Sequence, residues 1–346
     1  MTNESFGLAF DIVEGVISYS CMGMVIISIP IYLVVVAVLF FERNSHSINN
    51  VFFTIYLIGG LIDISAMFNN YFGSIFPAKG WLLWYYLSSP TSGRIYLMIA
   101  WGTRMSQGCT VLLLAFNRTT AVLRPTSYGK FWTQRVGRAA IAFQIIPGIL
   151  YGGILSFTDL FWQQKSNGGW YIQFGDPVFR LRYFAASFIF QSILLFLITG
   201  NYVIVLLFFR VKYGMAVLPT DARSQRLFKD KQKQEKRLVY ISMVVCTLEI
   251  ICFFFSVYFF VINTTVNTRI FYLVYNAMND LYAATPPYLL ILFSTPFKRN
   301  LIKFLGLEVP DRSSTCTVPV IRIQTADGRP DSRRNRDITV SVVGET

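Results

Sequence analysis

Between residues 16 and 294 the chain is divided into seven apolar runs, at about 16–41, 49–73, 94–121, 136–158, 183–209, 238–262 and 270–294. Each is 20 residues or longer, and a helix of that length crosses roughly 30 Å of bilayer hydrocarbon. Hydrocarbon offers a backbone no hydrogen-bond partner, so only helices and closed barrels can span it. These runs are far longer than the roughly 10 residues of a barrel strand, which leaves helices. The expected fold class is therefore an all-α membrane protein, a seven-transmembrane helix bundle. Composition agrees, because only 14% of the residues are charged, where a soluble domain has about a quarter.

Positive charge orients the bundle. The breaks that follow the odd-numbered runs, with the tail, hold 24 of the 31 Lys and Arg residues; the other side holds six, and Arg104 lies within a run. By the positive-inside rule the C-terminus is cytoplasmic and the N-terminus outside. The net charge of +13 thus reads as membrane topology and not as a nucleic-acid surface. Residues 1–15 carry acids and no Lys or Arg, unlike the basic start of a cleaved signal peptide, and are expected as an extracellular N-terminus. The receptor-like domain would cover 16–294. A membrane-surface helix is expected at 295–306, where apolar and basic residues alternate by faces. The polar tail 307–346 is expected to be disordered. Asn3 and Asn263 open Asn-x-Ser/Thr sequons on the outer side and are glycosylation candidates.

Several chemistries lack their residues. His46 is the only histidine and the five cysteines have no metal-ligand spacing, so no metal, no cofactor and no catalytic residue is assigned. None of the cysteines falls in an outer loop, so the loop around Gly168-Gly169-Trp170 has no disulfide to hold it. Pro147, Pro286 and Pro287 lie within runs and are candidate hinge points.

The informative residues are charges inside the runs. Asp63, Arg104, Glu249 and Asp280 all fall near mid-membrane, counted from the run ends. A charge there costs about 2.5 to 3.5 kcal/mol, so each should face the bundle interior and find a partner. Arg104 is expected to pair with Glu249 or Asp280, and Asp63 to sit lower in a hydrated core. Asp63 and Glu249 are read as a buried polar switch. Arg104 and Arg118 are 14 residues apart, nearly four turns and roughly 21 Å, so one face of the third helix joins mid-membrane to the inner rim. Above Arg104, Trp101, Tyr96 and Tyr275 supply an aromatic wall, and with Arg104 and Asp280 they form the candidate ligand site. A cationic floor favours an anionic or strongly polar ligand unless an acid already neutralises it.

A resemblance can now be stated. Asn117-Arg118-Thr119 closing the third run, Arg124-Pro125 with Tyr128 and Trp132 after it, and a basic third inner loop resemble a G-protein-coupled receptor. Tyr56 to Asp63, Asn69 to Gly73, Pro77 and Gly80-Trp81 resemble the nematode serpentine chemoreceptors of class gamma (Srg), with class v (Srv) the near alternative. The resemblance implies a chemosensory receptor and not an enzyme, resident in the plasma membrane, with a sensory cilium as a candidate site. Its partners would be a small-molecule ligand, the lipid bilayer and a heterotrimeric G protein met at Asn117 and Arg118. Asn117 stands where the commonest receptor pattern has an acid, so Arg118 needs a partner other than its neighbour. The rival reading is a transporter or channel using Asp63, Arg104, Glu249 and Asp280 as an ion path.

Overall fold

The computed structural model describes residues 3–44, 51–124, 126–164, 168–214, 240, 243–255, 257–258 and 268–307. All of them lie in the first of the chain's two compact units, Met1–Glu308. The long helices are α1 (Asn3–Phe41), α2 (Val51–Asn70), α3 (Thr91–Leu123), α4 (Gln134–Gly153), α5 (Pro177–Gly214), α6 (Met243–Phe255) and α7 (Thr268–Phe293), followed by the short α8 (Thr295–Phe304). Four segments combine the length and apolarity to cross a membrane: Ile12–Phe41, Val51–Ala78, Gln134–Phe157 and Pro177–Phe208. Although α3 and α7 are comparable in length, they carry Arg104, Gln107, Asn276 and Asp280. These polar residues lower their hydropathy because they serve the bundle interior.

The distribution of side chains is that of a protein whose solvent is lipid. Gln144 is 0% exposed while Leu150, on the same helix, is 65% exposed, and Phe196 on α5 is 79% exposed. Polar groups turn inward and apolar ones outward, because the hydrocarbon solvates Leu and Phe but not an amide. The helix built from residues 91–123 is the hub, packing against α2, α4 and α5, while α7 packs against α1 and α2. Gln144 ties three helices at once, donating to the Ile55 carbonyl of α2 at 3.2 Å and to Thr110 of α3 at 2.8 Å.

The α3–α4 seam depends on having no side chains. A Cβ on Gly102 would lie 2.9 Å from the Gly148 carbonyl, and one on Gly148 would collide with Ser106 Oγ and the Gly102 carbonyl. Backbones this close gain van der Waals contact that lipid tails cannot displace. Pro147 sits beside this seam, yet α4 runs through it unbroken, as α7 runs through Pro286 and Pro287.

Beyond α4 the connection forms a β-hairpin, Leu160–Gln164 paired antiparallel with Trp170–Phe174. Packing holds it in place. Ile172 and Trp162 lie against Gly93 at the start of α3, where a Cβ would strike Ile172, and Trp162 also stacks edge-on with Tyr86 at 5.3 Å. At the other end, Ser294 caps α8 by accepting from Phe297 N at 3.4 Å. Phe297 is fully buried among α1 and α2 residues, while Lys298, Arg299 and Lys303 belong to the polar side expected of a helix at a membrane surface.

Candidate functional site

Among the described residues, four clusters of interior polar groups bear on the expected site. In the first, Asp280 of α7 is 0% exposed. Asn70 Nδ2 donates to its Oδ1 at 2.9 Å and Tyr71 OH to its Oδ2 at 3.0 Å. The helix changes from α to π winding at Tyr71, over Tyr71–Ile75. Adjacent residues of a regular helix point about 100° apart, yet here both reach one carboxylate. Asp280 is thus fully engaged with α2. Tyr71 is 8% exposed and belongs to this link.

The second cluster settles the pairing of Arg104. Its Nη2 donates to Glu249 Oε1 at 2.8 Å, the side chains being 11% and 4% exposed. Its guanidinium lies over the Tyr282 ring at 4.9 Å, and Tyr275, two turns before Tyr282 on α7, is within electrostatic range. Glu249 Oε2 is buried with no hydrogen-bond partner. The pair joins α3 to α6, and the acid largely cancels the cation. Trp101, nearly one turn from Arg104, faces α5 through Phe184 at 5.0 Å and Tyr183 at 6.1 Å. Tyr96 packs against Gly73, and its carbonyl accepts from Asn69 at 3.0 Å. Thus Trp101 and Tyr96 brace neighbouring helices, while Tyr275 and Arg104 approach each other.

In the third cluster, Asp63 of α2 is 7% exposed. Tyr32 OH of α1 donates to its Oδ2 at 2.5 Å and Gln107 Nε2 of α3 to its Oδ1 at 2.8 Å. Beside them lies a cavity of about 30 Å³ lined by Asp63, Gln107, Tyr56, Thr110, Val245 and Tyr282, among others. That volume admits one or two waters. Tyr56 OH donates to the Pro286 carbonyl at 2.9 Å, fixing α2 to the proline pair of α7.

At the far end of α3, Asn117 is 0% exposed and exchanges hydrogen bonds with Tyr128 OH at 2.9 and 3.2 Å. Trp132 Nε1 donates to Thr120 at 2.7 Å. Asn117 therefore fastens the short connection after α3. Arg118 turns inward, its Cζ 3.6 Å from the centre of the Phe52 ring of α2 and its Nε buried without a partner. An aromatic face here occupies the place that an acid would take.

Tyr282, Gln107, Tyr32 and Asn70 complete these clusters and were not singled out from the sequence. Gln107 had a signal, standing three residues after Arg104 and hence on the same face of α3. Tyr282 had none, because an aromatic in an apolar run resembles lipid-facing residues. Asn263 lies outside the described residues. Asn3 opens α1, with its side chain outside them as well. Among the described residues no group of three or more His, Cys, Asp or Glu has the proximity to hold a metal.

Comparison with known proteins adds the following. The model of the serpentine type 7TM GPCR chemoreceptor Srv matches residues 21–307. Serpentine receptor class V-1 of Caenorhabditis elegans is 28% identical over 203 residues, which is 55% of this chain and 62% of that protein. Serpentine receptor class gamma-15 of the same organism is 25% identical over 203 residues, 55% of this chain and 59% of that protein. The chain therefore spans about three-fifths of the length of these curated relatives.

Proposed function

Since this chain belongs to the serpentine type 7TM GPCR chemoreceptor Srv family, whose members are membrane receptors and not enzymes, we propose that it is a G-protein-coupled chemosensory receptor of the plasma membrane. In this reading seven spans place the N-terminus outside and the basic loops inside. A small extracellular molecule is detected in the bundle near Arg104, Tyr275, Trp101 and Tyr96. Asn117 and Arg118 then present the cytoplasmic end of α3 to a heterotrimeric G protein.

The observation that carries the reading is the Arg104–Glu249 pair, at 2.8 Å between α3 and α6. Two opposite charges in an apolar medium attract strongly, but each has lost hydration, so the link is costly and conditional. A ligand that bonds to either partner changes the balance, and the helix bearing Glu249 responds. Because Glu249 balances Arg104, the site does not call for an anion; it suits a ligand offering donors to Glu249 or acceptors to Arg104. The transporter reading finds less support, since Asp63 and Asp280 are each held by neutral donors from neighbouring helices and form no string of exchangeable sites.

The test is a calcium or cyclic-nucleotide readout in cells expressing the full chain, challenged with a panel of acidic, neutral and basic small molecules. Wild type is expected to respond to at least one of them. The Arg104→Met/Glu249→Leu variant removes both charges together, so it should reach the cell surface while the response disappears. A dose response identical to wild type in that variant would sink the ligand role. Ion flux without any G-protein signal would favour the transporter.

A further inference from the structure

Two buried polar atoms without partners belong to residues that line the same cavity. Tyr282 is 4% exposed and its hydroxyl has no hydrogen-bond partner; Gln107 is 2% exposed and its Oε1 has none. Both residues line the cavity of about 30 Å³ that also contains Asp63. One is a hydroxyl that donates, the other a carbonyl oxygen that accepts. A cavity with room for one or two waters, lined by residues that carry an unpartnered donor and an unpartnered acceptor, has the size for a water between them.

Tyr282 also has a second contact. The face of its ring carries the Arg104 guanidinium at 4.9 Å. One residue of α7 therefore lies against the α3–α6 ion pair with its ring and also lines the Asp63 cavity. We propose that Tyr282 is the coupling residue between the two polar clusters: its hydroxyl is joined through ordered water to Gln107, and thereby to Asp63, so displacement of Arg104 from its ring is felt at Asp63. It is a positioning residue, because it acts through Arg104 and Gln107. The signalling consequence rests on the receptor reading above; the water link does not.

The experiment has two arms that separate these ideas. In the first, the full chain is purified in lipid nanodiscs and its melting temperature measured. A buried hydroxyl with no partner destabilises, so Tyr282→Phe would raise the melting temperature if the site were dry. With the water link, Tyr282→Phe lowers it by about 1–2 °C, and Tyr282→Phe/Gln107→Leu melts no lower than Gln107→Leu alone, because both remove the same bridge. An unchanged or raised value for Tyr282→Phe, or full additivity with Gln107→Leu, overturns the proposal. In the second arm, agonist-free G-protein signalling is measured in cells. Tyr282→Phe should change it at least twofold and Tyr282→Leu, which also removes the ring beneath Arg104, should change it further. A signalling wild type whose Tyr282→Phe variant shows the expected melting pattern but signals as wild type overturns the relay alone. A wild type silent here and toward the whole ligand panel, with the melting pattern intact, supports the water link and overturns the receptor reading.

Discussion

Replacing Glu249 by Gln leaves Arg104 buried and charged, since a guanidinium does not give up its proton in a protein. Breaking a buried pair by removing one partner costs about 3–5 kcal/mol. Two contacts reduce that figure here. The Tyr282 ring remains 4.9 Å from the guanidinium, and a cation over an aromatic face contributes about 0.5–2 kcal/mol. The carbonyl of the new Gln can still accept from Nη2, for about 0.5–1.5 kcal/mol. The net expected loss is roughly 2 kcal/mol, or about 3 °C in melting temperature for a chain of this size. Arg104→Leu strands Glu249 and should cost a similar amount. Arg104→Met/Glu249→Leu exchanges the pair for apolar side chains of similar size, a change that is often neutral or stabilising. Thermal melts of the four proteins in nanodiscs, with surface labelling in cells, read the cycle. The double variant should melt close to wild type and above either single variant. If the two losses simply add in the double variant, the ion pair is not the unit that holds α3 to α6, and the reasoning fails.

Gly148→Ala places a methyl group against Ser106 Oγ and the Gly102 carbonyl, so it should cost about 1–3 kcal/mol and lower surface expression. Gly153→Ala, with nothing within 4 Å of the added Cβ, should express as wild type or better. Phe52→Leu removes the ring 3.6 Å from Arg118, and is expected to raise agonist-free G-protein signalling while Phe52→Trp keeps it low. Equal signalling from the two Phe52 variants would show that the ring does not restrain Arg118.

The positions of the helices were legible in the sequence because the medium allows little else. Hydrocarbon forces the helical solution on any apolar run of sufficient length, and the runs at 94–121 and 270–294 fall within Thr91–Leu123 and close to Thr268–Phe293. Ends were less legible, because a helix can continue past the hydrocarbon at no cost to its backbone hydrogen bonds; α1 begins at Asn3, well ahead of residue 16. The hairpin at 160–174 was not foreseen. It has no disulfide and its register follows from a fit of Ile172 and Trp162 to Gly93 that no local pattern encodes. Depth was enough to nominate Asp63, Arg104, Glu249 and Asp280, but the choice of partner depends on how each helix is rotated about its axis. Tyr282 escaped for the same reason: only its rotation distinguishes a core aromatic from a lipid-facing one.

The charge balance of the interior also divides the bundle mechanically. Three carboxylates face one mid-membrane cation, and the two aspartates are held by neutral donors: Tyr32 and Gln107 at Asp63, Asn70 and Tyr71 at Asp280. Those four hydrogen bonds, with Tyr56 to the Pro286 carbonyl, join α1, α2, α3 and α7 to one another. Interhelical hydrogen bonds in membranes contribute only about 0.6 kcal/mol each on average, but here they act in parallel, and separating these helices means losing them together. The link from α6 is different in kind. Among the described residues it includes apolar packing by Val244, Val245, Cys246, Leu248, Ile250 and Cys252, the stacking of Phe253 on Phe188 of α5 and the ion pair from Glu249. Apolar contacts slide in lipid at little cost, because the lipid replaces them. The ion pair has no such replacement, so the resistance of α6 to movement away from α3 is concentrated at Arg104, where a bound molecule can compete for it.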